Sequence, residues 1–188
     1  MADQLKVLVI CGSLRKGSYN AALTRALPAL APPEMTLITA PSFATFPFYN
    51  ADDQDASGFP APVSVFADAI RAADGVLFVT PEYNWSIPGV LKNAIDWVSR
   101  MKDQPFKDKP VAIQSASQGP LGGARMQYHL RMALTFSDAL LFGRPEVFVG
   151  LAATKFDKDT LELKDQPTKD IIKQQLAAFA KFIRRMKA

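Results

Sequence analysis

The sequence of 188 residues contains a single cysteine, a single histidine and no long apolar run. One cysteine cannot form an internal disulfide, which fits a reducing compartment such as the cytoplasm. A membrane-spanning helix needs about 20 consecutive apolar residues. The first ten residues, MADQLKVLVI, carry charges where a secretory signal needs an unbroken apolar centre. We therefore expect a cytoplasmic protein without an export signal or a membrane span.

Two motifs of hydrolytic and metal chemistry are also missing. No cysteine and histidine spacing matches a zinc site, and no serine lies in a G-x-S-x-G turn. His129 falls within a helical pattern, where we interpret it as packed or solvated. Cys11 ends the first predicted strand and is interpreted as a small buried hydrophobe, with redox sensitivity as the alternative. We expect no metal site.

The formal net charge is +4, which permits anionic partners such as a phosphate-bearing cofactor, nucleic acid or acidic lipid. The cations are spread along the chain, however, and their densest cluster is the C-terminal KFIRRMKA. Cations near a helix C-terminus are favoured by the helix dipole, so this cluster is typical of a solvated helix face. We expect no nucleic-acid partner.

Apolar runs alternate with helical patterns along the whole chain. Runs that are apolar throughout are typical of strands buried on both faces. The predicted strands are Leu5–Cys11, Met35–Ala40, Gly75–Thr80, Pro110–Ala116 and Glu146–Val149; the predicted helices are Asn20–Ala31, Val63–Ala73, Gly89–Met101, Gly123–Asp138 and Thr168–Lys187. This alternation predicts one α/β domain over residues 1–188, with a five-stranded parallel sheet and helices on both faces.

Ligands of such sheets bind beyond the carboxyl ends of the strands, which directs attention to three loops. The first, GSLRKGSYN, follows strand one and precedes a helix, so its N–H groups can face an anion. Ser13, Ser18 and Asn20 add short donors, and Arg15 offers a forked contact to phosphate. The loop lacks the Gly-Lys-Ser/Thr of a P-loop and the dinucleotide G-x-G-x-x-G. Ser18 alone could be a helix cap, but the whole cluster predicts a phosphate site.

The second loop and its helix have the sequence TPEYNWSIPGVLKNAIDW. Pro81 and Pro88 bracket a rigid turn, and Gly89 permits close approach of the backbone. Tyr83 and Trp85 can lie against a flat ring; alternatively, they cover the end of the core. The polar residues farther along need only capping and solvation to explain them: Lys92, Asn93 and Asp96.

The third loop, SASQGPLGGAR, has three glycines within five residues. Glycines next to small hydroxyl residues would bring bare backbone beside a ligand. Gly122 and Gly123 could instead be simple turn residues. Three such loops at one sheet edge exceed what turns alone require.

The three loops, in this order, resemble the NADPH-dependent FMN reductase family over essentially the whole chain, above all its bacterial quinone and chromate reductase branch. The resemblance implies a flavodoxin-like three-layer sandwich with strand order 2-1-3-4-5. It implies FMN as cofactor and NADPH or NADH as electron donor. A hydride would pass to flavin N5 and on to a quinone in a ping-pong cycle, with chromate, free flavin, azo and nitro compounds as further acceptors.

The resemblance also implies which residues hold FMN. Those around the phosphate are Ser13, Leu14, Arg15, Lys16, Gly17, Ser18, Tyr19 and Asn20. Those at the ring are Pro81, Glu82, Tyr83, Asn84, Trp85 and, from the third loop, Ser117. Because the cofactor performs the hydride transfer itself, no catalytic side chain is expected. Two alternatives stay open: a one-electron carrier like flavodoxin, a class that tends to be acidic, and a non-enzymatic flavin-binding module.

Self-association is a further expectation. Arg125, Tyr128 and Arg131 lie three apart on one helical face, and Glu146 opens the fifth predicted strand. An Arg125–Tyr128–Glu146 network between subunits is one interpretation, and a hydrated helix face is the other. The resemblance implies a homodimer or homotetramer. The segment PSFATFPFYNADDQDASGFP is long for a loop in a compact domain; its aromatics could contact a partner, edge the pocket or cover the core: Phe46, Phe48 and Tyr49.

Overall fold

The computed structural model describes residues 4–187, which form an α/β domain with alternating strands and helices. The strands are β1 (Leu5–Cys11), β2 (Met35–Thr39), β3 (Gly75–Val79), β4 (Pro110–Ala116), β5 (Leu140–Leu141) and β6 (Val147–Val149). The helices are α1 (Tyr19–Ala26), α2 (Ala51–Ser57), α3 (Ala61–Ala72), α4 (Gly89–Val98), α5 (Ala124–Thr135) and α6 (Gln166–Lys187). Among these residues no helix is long and apolar enough to cross a membrane.

The sheet is parallel throughout and has the order β2-β1-β3-β4-β5, with β6 also paired to β4. The predicted order 2-1-3-4-5 is therefore confirmed. The fifth position differs from the prediction of one strand, because β5 pairs with the start of β4 and β6 with its end. Pro145 lies between the two short strands and has no N–H to donate to a continuous ladder.

The core consists of two apolar layers, one on each face of the sheet. Along β1, Leu5, Val7 and Val9 face the layer that includes α1 and α6. Leu8 and Ile10 face the opposite layer, which includes α3, α4 and α5. Successive side chains of a strand point to opposite faces, so a strand buried on both sides is apolar at most of its positions. This explains why the continuous apolar runs predicted these strands correctly.

Three helices end several residues earlier than predicted. Helix α1 ends at Ala26, and a 3₁₀ turn follows over Leu27–Ala29. The prediction of one helix over Asn20–Ala31 overlooked Pro28, which cannot donate to the helical ladder. Helices α4 and α5 likewise end three residues before their predicted ends. The residues that follow each helix, 99–101 and 136–138, form turns and bends and do not continue the helix.

The long aromatic segment contains a helix that was not predicted. Asn50 caps α2 by accepting a hydrogen bond from the Asp52 N–H at 3.1 Å. No residue of α2 is buried, so its sequence carries no apolar periodicity. Phe46 is buried in the core. The ring centroid of Tyr49 lies 5.1 Å from that of Trp97. Core coverage is therefore confirmed for these two residues. Phe48, in contrast, is 87% exposed.

Candidate cofactor site at the carboxyl edge of the sheet

The three loops meet around one cleft of about 220 Å³ beyond the carboxyl ends of β1, β3 and β4. Its lining comes from all of them: Ser13, Arg15, Ser18, Tyr19, Asn20, Pro81, Glu82, Tyr83, Ala116, Ser117 and Gln118. Ala116 and Gln118 were not predicted, because an alanine at the end of a strand and a glutamine in a loop carry no distinguishing signal in the sequence. Five predicted residues belong to the same loops but are not part of this lining: Leu14, Lys16, Gly17, Asn84 and Trp85.

Gly12 allows β1 to leave the sheet close to β3. The Gly12 N–H donates to the Val79 carbonyl at 2.9 Å. At this distance from β3, a Cβ atom at Gly12 would lie 2.0 Å from the Thr80 Oγ1. No side chain larger than hydrogen fits at such a distance. The glycine therefore serves the packing of two strand ends and sets where the first loop begins.

The first loop presents unpaired donors at the start of α1. Within residues 4–187, the N–H groups of residues 13–17 have no hydrogen-bond acceptor in the protein. The Ser18 hydroxyl caps α1 by accepting from the N–H groups of Asn20 at 3.1 Å and Ala21 at 3.5 Å. The interpretation of Ser18 as a helix cap is therefore confirmed. The first turn of α1 has no acidic residue, so the helix dipole and free N–H groups together favour an anion.

Arg15 is held across the same loop. Its Nη2 donates to the Gly17 carbonyl at 2.7 Å, and its side chain reaches the cleft lining. One hydrogen bond leaves several of its N–H groups free for a second acceptor. Lys16 is exposed and is absent from the lining, so Arg15 is the cation that the loop directs to the cleft.

Asn20 joins the first loop to the third. Its Nδ2 donates to the Ala116 carbonyl at 2.9 Å, and its Oδ1 accepts from the Ala116 N–H at 2.9 Å. The residue is only 2% exposed. Both ends of its amide are therefore engaged with the backbone at the end of β4, and Asn20 sets the spacing between α1 and the third loop.

The second loop ends in a tight turn closed by two backbone hydrogen bonds between Tyr83 and Ser86, of 3.0 and 2.9 Å. Both central residues have positive φ, 48° at Asn84 and 66° at Trp85, as a type I′ turn requires. His129 contributes a contact between its Nδ1 and the Ser86 Oγ at 3.0 Å. Gly89 does not need to be glycine on steric grounds, because a Cβ there would have no heavy atom within 4 Å.

Glu82 links the second loop to helix α5. Its carboxylate accepts from the Met126 N–H at 3.1 Å and from the Arg125 Nη1 at 3.3 Å. Gly123, the N-cap of α5, has no side chain to cap the helix, so Glu82 supplies the missing acceptor. Within the described part of the chain the Glu82 N–H has no protein acceptor, and it remains available at the cleft.

Two of the three glycines in the third loop are required by packing within the protein. A Cβ at Gly122 would lie 2.7 Å from the Phe148 carbonyl carbon, and one at Gly123 would lie 2.9 Å from Ser115. Both also have positive φ. These glycines allow the loop to pack against β6 and β4, as the turn alternative held.

Ser117 is the predicted third-loop residue that lies in the cleft lining. Its N–H donates to the Val149 carbonyl, its carbonyl accepts from the Ala152 N–H, and its Oγ accepts from the Gly119 N–H at 3.1 Å. The hydroxyl proton is still free to donate. Residues 4–187 contain no cluster of three or more His, Cys, Asp and Glu side chains that could hold a metal ion.

Comparison with known proteins decides the family. The model of the NADPH-dependent FMN reductase family matches residues 5–154. The chain belongs to this family. It is therefore an oxidoreductase that uses FMN with NAD(P)H as electron donor, as the sequence resemblance implied.

Individual relatives match over nearly their full lengths. A quinone reductase of Escherichia coli K12 is 52% identical, with 100% of both chains covered. An NAD(P)H-dependent FMN reductase of Pseudomonas aeruginosa is 48% identical, again with 100% of both covered. Among solved structures, the flavoenzyme NAD(P)H:(acceptor) oxidoreductase FerB of Paracoccus denitrificans is 34% identical with a TM-score of 0.86, covering 97% of this chain and 98% of its own. The flavodoxin-like fold is thereby confirmed.

Proposed function

We propose that this enzyme reduces quinones to quinols, with one NAD(P)H and one proton consumed and one NAD(P)⁺ released per quinone, in a ping-pong cycle. When bound, FMN supplies the hydride chemistry, and the protein binds and orients it. The observation that carries the proposal is the cleft itself, whose lining joins Ser13 and Arg15 of the first loop to residues at the ends of β3 and β4, next to a loop whose N–H groups at residues 13–17 are unpaired. The 52% identity to a quinone reductase supports the choice of acceptor.

The first loop would hold the phosphate of FMN. A phosphomonoester dianion accepts hydrogen bonds readily, and residues 13–17 offer their N–H groups at the positive end of α1. The Arg15 guanidinium would add charge-assisted hydrogen bonds. The hydroxyl groups that line this end of the cleft, those of Ser13, Ser18 and Tyr19, can donate as well. We assign Asn20 to holding this loop in place, because both ends of its amide are already engaged.

The second and third loops would hold the flavin ring. The Glu82 N–H and the Ser117 hydroxyl proton are free donors at the cleft, and a ring with polar edges needs such donors. Pro81 and Tyr83 add apolar surface for the ring itself. The Glu82 carboxylate is occupied by Arg125 and the α5 N–H. It is therefore a positioning group and not the acid or base of a proton transfer.

The proposal is tested with purified protein. The FMN-loaded protein should absorb in the visible range and bleach under anaerobic NADPH, and steady-state rates with NADPH and NADH should be compared across quinones, chromate, free flavin, azo and nitro compounds. Chromate and the other non-quinone acceptors belong to the proposal as substrates of the same exposed reduced cofactor. Protein that stays colourless and does not bind added FMN would contradict the proposal.

The same measurements separate the two alternatives. A one-electron carrier would need a separate reductase before it accepted electrons from NADPH, whereas this enzyme should turn over alone. A non-enzymatic module would bind FMN with negligible reduction. The cytoplasmic location that we expect from the single cysteine is tested by cell fractionation.

We also propose a homodimer or homotetramer. Within the chain, the Tyr128 hydroxyl donates to Glu146 at 3.5 Å, and Arg131 lies 3.7 Å from the same carboxylate. Arg125 takes no part in this group, because it turns to Glu82 and Trp85. Two exposed apolar side chains lie near the end of α5: Met132 in its last turns and Phe136 at its C-cap. Sedimentation analysis tests the proposal, and a monomer at micromolar concentration would contradict it.

A further inference from the structure

Trp85 has an unfavourable backbone conformation although its side chain is not buried in the core. Its φ of 66° lies in the left-handed region, which a bulky side chain rarely adopts. Asparagine and glycine are the usual residues at such positions in tight turns. The residue is 66% exposed, so it does not cover the end of the core, as one interpretation of the sequence suggested. Strained backbone conformations are concentrated at binding and active sites, so this exposed aromatic beside the cleft is a candidate for a binding role.

The indole ring of Trp85 contacts Arg125. The Arg125 guanidinium carbon lies 4.2 Å from the centroid of the Trp85 ring, a cation–π contact. Arg125 is in turn anchored by Glu82, whose carboxylate also caps α5. A chain of contacts thus connects a residue of the cleft lining to the exposed ring, and the exposure of Trp85 leaves the indole accessible for a further contact.

We propose that Trp85 is the stacking platform for the electron acceptor and that Arg125 is the residue that positions it. An electron-rich indole favours contact with a planar, electron-poor ring, which is the chemistry of a quinone. The proposal rests on the proposed quinone reductase function and adds the residue that selects planar aromatic acceptors over compact ones. It distinguishes Trp85 from the residues that hold FMN, because Trp85 lies outside the cleft lining.

The first experiment compares two acceptors with the FMN-loaded enzyme. Trp85→Ala should lower the ratio of kcat/KM for 1,4-naphthoquinone to kcat/KM for ferricyanide by about tenfold, mainly through the KM for the quinone. Trp85→Phe keeps an aromatic face and should keep the ratio within about threefold. The matched control is Val65→Ala on α3, which removes another exposed apolar side chain, 55% exposed, and should leave the ratio unchanged.

The role of Arg125 is tested by a double-mutant cycle. Arg125→Gln removes the cation–π contact and should lower the ratio severalfold in the wild-type background. In the Trp85→Ala background the same change should have little further effect, because no ring is left to position. An equal effect in both backgrounds would show that Arg125 acts independently of Trp85 and would overturn its assignment.

A binding measurement without turnover provides the second readout. Trp97 is 1% exposed, and Trp85 is the other tryptophan of the chain. With oxidised FMN-loaded enzyme and no NADPH, 1,4-naphthoquinone should quench tryptophan emission saturably. Trp85→Phe should abolish this quenching, and Arg125→Gln should shift its midpoint to higher quinone concentration.

The outcomes separate this inference from the proposed function. An unchanged acceptor ratio in Trp85→Ala, or a tenfold loss of FMN affinity in that variant, would overturn the inference, the latter because Trp85 would then contact the cofactor. In both cases the wild type would still bind FMN and oxidise NADPH. Failure of the proposed function would instead appear in the wild type, as absence of FMN binding or of NADPH oxidation.

Discussion

The double hydrogen bond between Asn20 and Ala116 makes a prediction about folding and cofactor binding together. Asn20→Ala removes both bonds, each 2.9 Å long, at a residue that is almost fully buried. Ala116 is buried too, so its N–H and carbonyl would be left without these partners. The change therefore removes two interactions and leaves two backbone groups poorly satisfied at the junction between α1 and β4.

The magnitude follows from the usual values for buried hydrogen bonds. A net loss of about 1 kcal/mol per bond, increased by the desolvation of unpaired groups, gives a loss of about 2–4 kcal/mol in the free energy of unfolding. FMN affinity should also fall, because Asn20 sets the spacing between the first and third loops. Asn20→Asp should be similar, since a carboxylate still accepts from the Ala116 N–H but cannot donate to its carbonyl.

The assay pairs urea unfolding of the FMN-free protein with equilibrium titration of FMN. The matched control is Asn93→Ala: Asn93 also makes two amide hydrogen bonds to backbone, accepting from the Tyr49 N–H at 2.8 Å and donating to the Pro47 carbonyl at 2.9 Å. This control should lose stability without losing FMN affinity. If Asn20→Ala weakened FMN binding but left the stability of the FMN-free protein intact, Asn20 would be a direct ligand and our reasoning would be refuted.

Three further predictions concern the phosphate loop and the last helix. Arg15→Ala combined with Ser18→Ala should weaken FMN binding by about 2–4 kcal/mol. The control Arg25→Ala, which removes an exposed cation from the last turn of α1, should leave FMN affinity unchanged. Unchanged affinity in the double variant would contradict the phosphate assignment. Asp165→Ala should lower stability at pH 7 by about 1 kcal/mol in urea unfolding, because Asp165 accepts from the Thr168 N–H at the start of α6. Hydrogen bonds from the Thr168 hydroxyl and N–H hold the pKa of Asp165 below its usual 3.8. Its stabilising contribution is therefore present above pH 3.8 and lost as the pH falls through the folded-state pKa, so the variant and wild type should converge in unfolding curves at acidic pH.

The elements nearest the core could be predicted from the sequence, because burial on both faces favours apolar residues at most positions of a strand. Strands β1, β3 and β4 begin where their apolar runs begin. Since parallel strands end at the same edge, the loops after these three strands had to lie together. Exposed α2 and the division of the fifth position into β5 and β6 escaped prediction, because neither follows a continuous apolar pattern.

The roles of individual site residues depended on contacts between distant parts of the chain. Nothing in the sequence near Asn20 indicates a partner 96 residues away, and the need for glycine at position 122 arises only because β6 passes beside it. The pairing of Arg125 with Trp85 likewise requires α5 to pack beside the second loop. The sequence by itself therefore determined the fold class and the edge that carries the candidate site, since these follow from apolar periodicity, and the resemblance of the three loop sequences to a known family indicated the family. Only the tertiary structure decided which donors stay free for a ligand and which are used within the protein, because hydrogen-bond partners are selected by proximity in space.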